Sequence, residues 1–267
     1  MMKEDEVMNL RDIGWVWEGQ GLDPGVEPSI FGVGEGCEYF GLSRAWYMFH
    51  PNTELAMRKL AGLDEVICDI TKWEFKEVDY AGAAHTVDAR PQRVISEAAL
   101  VSQLSRQFPN ITGAVHDDML GLTKREDFSP AQYTEVYRAL KSENPTLKLW
   151  AVVYSHELDA NQWADFRPFM DVISLWVWEA KNLRYLDEYI EKCRELFPEK
   201  PLIMGCYLRE YAARAPVPME MVKHQWETLL RHIQAGTLDG YSILGAVLID
   251  SHQQQANWIR DFIAANS

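Results

Sequence analysis

The 267-residue sequence has no apolar run long enough to cross a bilayer, which removes membrane-spanning helices from the reading. It has four cysteines, Cys37, Cys68, Cys193 and Cys206, none in a C-x-x-C pair. Cys68 and Cys206 sit inside apolar runs, so buried free thiols are expected, which suits a reducing compartment. Basic residues are scarce: 26 Lys and Arg stand against 40 Asp and Glu, a formal net charge of -14. Such a surface repels phosphate backbones and anionic lipids, so neither nucleic acid nor a membrane is expected as a partner. The stretch MMKEDEVMNLRD has no apolar h-region, so the expected location is the cytoplasm, or export under a leader absent from this chain. Several signatures are missing too. GVGEGCEYFG lacks the G-x-G-x-x-G spacing and is read without a following helix, no H-x-H ends the first strand, and no H-E-x-x-H occurs. No Gly-rich phosphate loop follows the last strands. Dinucleotide, amidohydrolase-type metal and phosphosugar chemistry all lose support, and no cofactor or metal is expected.

What remains is ordinary globular composition, 47% hydrophobic and 25% charged, with an unusual 12% of aromatics and ten tryptophans. Eight short runs rich in β-branched and aromatic residues read as strands: 13–18, 44–50, 65–70, 111–117, 147–154, 171–178, 201–207 and 242–250. Helical patterns lie between them. SPAQYTEVYRALK opens with a capping box, Ser129 to Gln132 around Pro130, and carries the stripe Tyr133, Val136, Tyr137, Leu140. NLRYLDEYIEKCRELF repeats this with Asn182 as the expected cap and Leu183, Leu186, Ile190, Cys193, Phe197 as its stripe. Eight alternations of strand and helix predict an α/β fold, a single (β/α)8 TIM barrel over residues 1–267. The long segments follow strands 1, 3 and 7, on the face where barrel active sites lie.

The expected strand exits carry the chemistry. Strand one ends at Trp17 and Glu18, strand two at His50, and strand three at Asp69 followed by Trp73. Strand five gives Tyr154, His156 and Glu157, and strand six gives Trp176, Trp178 and Glu179. Strand seven gives Tyr207 and Arg209, and strand eight gives Asp250 and His252. Strand four ends GAVHDDM, with His116 and two adjacent carboxylates, Asp117 and Asp118. Counting alternate residues from Thr112 and Ala114 places His116 and Asp118 on the inner face, with Asp117 left to bind a loop backbone or orient a neighbour. Indoles near the rim are candidate platforms for sugar rings. Two carboxyl groups of unequal environment across a pocket suit acid/base or nucleophilic attack on an acetal.

GAVHDDM resembles the G-[small/apolar]-x-x-D-D-[apolar] fourth-strand ending of several (β/α)8 glycoside-hydrolase-like families. It lacks the D-G-x-D-x-D-x-E signature of chitinase-type barrels and the N-E-P ending of many retaining β-glycosidases. Similarity to α-galactosidase-like barrels implies Asp117 or Asp118 as nucleophile and Glu179 as acid. The expected catalytic set is therefore Asp118, Glu179, Asp117 and His116. Substrate contacts are expected from Trp17, Glu18, His50, Asp69, Trp73, Tyr154, His156, Trp176, Trp178, Tyr207, Arg209 and Asp250, toward an oligosaccharide or glycoside. Two rivals stay open. One is a divalent-metal-dependent sugar isomerase or hydrolase drawing on Asp69, His116, Asp118, His156, Glu179, Asp250 and His252. The other is a non-catalytic carbohydrate-binding barrel. A Schiff-base aldolase would need Lys72 or Lys181 inside the pocket.

Overall fold

Short runs that are apolar on both faces belong in a parallel sheet covered by helices, and the runs here pair in that way. In the computed structural model, which describes residues 9–19, 26–76 and 84–267, eight parallel strands close into a barrel in sequence order. They are β1 (Gly14–Trp17), β2 (Arg44–Tyr47), β3 (Glu65–Asp69), β4 (Ile111–His116), β5 (Lys148–Tyr154), β6 (Val172–Trp176), β7 (Leu202–Tyr207) and β8 (Gly240–Leu244). β1 closes the ring, pairing Val16 with Ala45 of β2 and with Ile243 of β8. No helix among the described residues is long and apolar enough to cross a membrane.

Five indoles fill the barrel. Trp15 packs edge-on to Trp150 at 5.2 Å, and Trp150 meets Trp46 at 5.2 Å. Trp46 stacks on Trp17 at 4.3 Å, and Trp17 meets Trp176 at 5.0 Å. Trp176 then contacts Tyr207 at 4.7 Å, so one aromatic column runs from the N-terminal mouth to the C-terminal rim. Side chains of this size each bury roughly 150–250 Å² and gain about 0.5–1.5 kcal/mol per aromatic pair beyond burial. They fit only because small residues face them. A Cβ on Gly205 would lie 2.0 Å from the Trp176 ring, and Ser174 accepts the Trp176 indole N–H at 2.8 Å. Below the column, Arg44 lies over Trp15 at 5.2 Å and pairs with Glu65 at 2.9 Å, beside a cavity of about 480 Å³.

The helices pack outside the strands. They are α1 (Val33–Phe40), α2 (Glu54–Lys59), α3 (Pro91–Ser105), α4 (Met119–Arg125), α5 (Pro130–Lys141), α6 (Ala160–Trp163), α7 (Leu186–Leu196), α8 (Met219–Gln234) and α9 (Gln253–Ala265). The Ser129–Gln132 capping box forms, and α5 buries Tyr133, Val136 and Leu140. Three local expectations need correction. GVGEGCEYFG does form a helix, α1: the Glu35 carboxylate accepts the Gly32 N–H at 3.2 Å, and Val33, Cys37 and Phe40 turn inward. Gly36 belongs there because a Cβ would meet Ala246 at 2.5 Å. Asn182 is no cap, since Ala180–Tyr185 is a 3-10 segment and α7 begins at Leu186. β8 stops at Leu244, because Gly245 takes φ 128° and Ala246–Leu248 turns.

The fourth strand departs from simple alternation. Val66 pairs with Ile111 but Ile67 pairs with Gly113, so Thr112 is an extra residue in β4. The extra residue flips the parity of everything after it. His116 therefore points out of the barrel, against the expectation. Its ring stacks on Tyr133 of α5 at 5.7 Å and 5°, and its Nδ1 lies 3.0 Å from the Tyr133 hydroxyl. Complete burial drives its pKa down to about 3.

Three expected outcomes follow. Gly205→Ala should destabilise the fold by more than about 3 kcal/mol or prevent folding, because an indole cannot yield 2.0 Å. Gly34→Ala in α1, with open space around it, should stabilise by about 0.5–1 kcal/mol; urea unfolding measures both. For His116, the unfolded chain takes up a proton near pH 6.5 that the folded chain refuses until about pH 3. Stability is therefore lost as pH falls through that window, by roughly 1.4 kcal/mol per unit. His116→Phe keeps the ring stack and should cost about 1 kcal/mol at pH 7 but flatten the acid slope. Parallel stability–pH curves for variant and wild type would defeat this account.

Candidate functional site

At the exit of β4 the chain must turn from strand into α4, and the two aspartates make that turn. Asp118 adopts φ 45° and ψ 36°, the left-handed region that costs a non-glycine residue about 1–2 kcal/mol. Its backbone N–H donates to Asp117 Oδ1 at 3.0 Å. The Asp117 N–H donates in turn to Thr71 Oγ1 at 3.0 Å, and Thr71 donates from both its N–H and its hydroxyl to Asp69 Oδ1, each at 2.8 Å. Asn52 ties the Asp69 carbonyl (2.9 Å) to Glu97 of α3 (3.1 Å), which pairs with Arg93.

The Asp118 side chain meets the exit of β5. Tyr154 donates its hydroxyl to Asp118 Oδ1 at 2.6 Å. Burial pushes the Asp118 carboxyl above its ordinary range, and the Tyr154 hydrogen bond opposes that shift. Burial also raises the Tyr154 and Tyr207 phenols well above theirs, with Asp118 adding to both. Three residues beyond Tyr154, Glu157 accepts the Tyr154 N–H at 3.0 Å. Burial raises its carboxyl too, and the Asp118 charge pushes the same way.

These groups border a cleft of about 590 Å³ lined by Asp118, Gly121, Leu122, Arg125, Tyr154, His156, Glu157 and Trp178. Asp118, just before α4, and residues 121, 122 and 125 along it share one face. Arg125 is held by Glu126 (2.7 Å) and the Val87 carbonyl (2.5 Å). Trp178 is 40% exposed. It stacks on Tyr211 at 5.8 Å and stands edge-on to Tyr154 and Tyr207, each at 6.0 Å. His156 lies flat on Tyr154 at 5.4 Å.

The expected residues fall into four groups. Asp118, Tyr154, His156 and Trp178 come together at the cleft, and Tyr207 sits directly behind Trp178. Asp117 and Asp69 lie beneath, buried in hydrogen bonds to backbone and to Thr71. Trp17 and Trp176 are column residues, closed off from solvent, so they present no sugar platform. The remainder lie elsewhere on the rim. Glu18 pairs with His50 at 2.8 Å above β1 and β2, across the ring from β5 and β6. The backbone at Phe49, just before His50, is also left-handed, with φ 65°. Asp250 accepts the Ser29 hydroxyl at 2.5 Å. Arg209 is buried beside Tyr207 and Glu210. Trp73 sits in a β-hairpin after β3, pairing with Val87, and its side chain lies outside the described residues. His116 faces α5, as noted.

Glu179 does not join Asp118 at the cleft. Its carboxylate pairs with Lys181 at 2.5 Å in solvent, because the chain turns into the 180–185 segment just after Trp178. That pairing also raises the Lys181 pKa, opposite to what a Schiff-base lysine needs. Among the described residues, no three His, Cys, Asp or Glu side chains converge to hold a metal ion. The residues missed by sequence reasoning are Glu157 as a cleft carboxyl, Thr71, and the α4 face with Arg125. For Glu157 the signal was present in YSHE. For the α4 face it was the i, i+3, i+4, i+7 spacing from Asp118.

No protein-family model matches the sequence, and no curated protein matches it. Solved structures match at the level of fold. A GH2 β-galacturonidase from Eisenbergiella tayi aligns with TM-score 0.60 at 13% identity, covering 96% of this chain and 51% of that one. Bacteroides uniformis β-glucuronidase 2 aligns with TM-score 0.56 at 13% identity, covering 89% of this chain. A Toxoplasma gondii protein described as a deoxyribose-phosphate aldolase aligns with TM-score 0.50 at 9% identity, covering 96% of this chain and 94% of that one. The chain spans 31% of the B. uniformis enzyme and about half of the galacturonidase. At these identities the likeness is one of fold: this chain is a (β/α)8 barrel, of an architecture that serves both glycoside hydrolases and aldolases.

Proposed function

We propose that this protein is a carbohydrate-active enzyme that cleaves a glycosidic bond in the cleft between α4 and the exit of β5, with Asp118 and Glu157 as its two carboxyl groups. The observation that carries this reading is their shared cleft: both carboxyls are driven toward the neutral form by burial, beside an exposed indole. Glycosidic cleavage asks for one protonated and one ionised carboxyl, and two that sense each other titrate as a pair that readily holds a single proton. One of the two holds that proton and delivers it to the leaving oxygen as the C–O bond breaks. The Tyr154 hydroxyl already donates to the Asp118 carboxyl, and this bond strengthens as Asp118 becomes anionic. The other carboxyl, ionised, takes a proton from the attacking water or attacks the anomeric carbon itself. Glu157 thus replaces Glu179 as the second carboxyl. Trp178, braced by Tyr154, Tyr207 and Tyr211, offers its free face to a sugar ring, and Arg125 and His156 offer donors to hydroxyl groups. An oligosaccharide or glycoside is the substrate class this lining suits.

The test is a screen of chromogenic glycosides and mixed oligosaccharides, followed by variants on the best substrate. Asp118→Asn and Glu157→Gln should each lower the rate by at least about 10²-fold, roughly 2.7 kcal/mol of barrier. Glu179→Gln should stay within about threefold of wild type, and Trp178→Ala should raise KM more than it lowers kcat. Near-normal rates in both Asp118→Asn and Glu157→Gln would sink the assignment. Stability gives an independent reading. The folded chain binds the Asp118 proton more tightly than the unfolded chain, so wild type loses stability as pH rises above the ordinary carboxylate range. An amide carries no such cost and still accepts from Tyr154. Asp118→Asn should therefore melt higher than wild type at pH 7, with the gap closing near pH 3.

A further inference from the structure

Beneath Asp118 lies a polar chain that no step of the proposed reaction uses. Thr71, fully buried two residues past Asp69, is its centre. The single hydroxyl works in both directions: it donates to Asp69 Oδ1 at 2.8 Å and accepts from the Asp117 N–H at 3.0 Å. Its direction is set, because Asp69 Oδ1 is an acceptor already taking the Thr71 N–H at 2.8 Å. The hydroxyl hydrogen goes to that oxygen, and a lone pair is left facing Asp117. Asp117, so fixed, turns its own Oδ1 to the Asp118 N–H at 3.0 Å. Asp118 stays at φ 45° and ψ 36° with no cap bond from its own side chain, which leaves its carboxylate free for Tyr154. A strained conformation of this kind persists only where the surroundings over-determine it. The surroundings here are anchored far back, through Asn52 and Glu97 to α3.

We propose that Thr71 is a positioning residue for Asp118: its hydroxyl ties the exit of β3 to the turn after β4 and holds the left-handed backbone from which Asp118 reaches Tyr154. This rests on the reading of Asp118 as a reacting carboxyl, but the geometry it claims is testable without any substrate. Replacing the hydroxyl by a methyl leaves the Asp117 N–H without its acceptor. The turn then relaxes toward right-handed backbone, and the Asp118 side chain swings off the phenol.

A double-mutant cycle separates positioning from simple structural support. The titration midpoint of the Asp118 carboxyl is read by ¹³C NMR on aspartate-labelled protein, with Asp118→Asn to assign the signal. The groups that face it, Asp117 beside it, Glu157 past β5 and Tyr207 from β7, stay constant throughout. Tyr154→Phe removes a donor to the carboxylate and should move the midpoint upward. In a Thr71→Val background the same change should move it by less than half as much, and Thr71→Ser should restore the full effect. Thr71→Ala takes the place of Thr71→Val if the latter does not fold. On a turned-over glycoside, Thr71→Val should lower kcat by on the order of 10²-fold with KM nearly constant, and Thr71→Ser should recover it. An equal Tyr154→Phe shift in both backgrounds overturns the positioning role. Absence of turnover with every glycoside overturns the proposed reaction instead, and the NMR cycle still decides the role of Thr71.

Discussion

Five indoles inside one eight-stranded barrel are the constraint to which the rest of the molecule answers. A small barrel interior holds a fixed volume, and protein interiors pack at crystal-like density. Several of the rings are accommodated by the near absence of a side chain opposite. Gly205 under Trp176, Gly240 beside Trp15 and Gly113 beside Trp150 are these positions. The column ends at Tyr207, and Trp178 and Tyr154 stand on top of it. Asp118 consequently sits above a floor that admits little water. Burial there raises its carboxyl above the ordinary range, and the Tyr154 hydrogen bond opposes the shift.

Above the indoles the structure changes from size matching to hydrogen-bond matching. Adjacent carboxylates should repel, yet Asp117 and Asp118 have separate tasks. Asp117 accepts a backbone N–H and shapes the turn, while Asp118 accepts a phenol and borders the cleft. Buried acids are tolerated where each is given donors, and the chain Asn52, Asp69, Thr71, Asp117 supplies one bond after another. The strain at Asp118 is thus spread over three strand exits.

The barrel was legible because its signals are local and repeated: β-branched and aromatic runs separated by 3.6-period stripes, with a capping box at Ser129 that forms as read. Strand ends were less so. The expected β8 overran Leu244 because nothing apolar in SILGAVLID marks the stop except Gly245, whose positive φ only the fold reveals. His116 was placed inward because alternation was counted through Thr112, and one extra residue inverts the count. Glu179 drew attention as the end of a second WVWE. The two copies differ in depth, Trp15 and Trp17 both lying in the column while Trp178 emerges above it. Sequence spacing alone does not carry that depth. The cleft carboxyl Glu157 was visible in YSHE, but its proximity to Asp118 depends on how β4 and β5 pair, with His116 beside Ala151.

The aromatic column also gives the molecule an optical character of its own. Trp17 and Trp46, stacked at 4.3 Å and 22°, are close enough for their transition dipoles to couple. Trp46, Trp150 and Trp15 extend that coupling down the axis. The near-ultraviolet circular dichroism of the folded chain should be dominated by this exciton signal, which vanishes when the rings lose their mutual angle even if helices and strands persist. Trp178 stands outside the column, 40% exposed, and its emission should lie to the red of the column set. The column rings therefore report the order of the interior, and Trp178 reports what settles on the cleft.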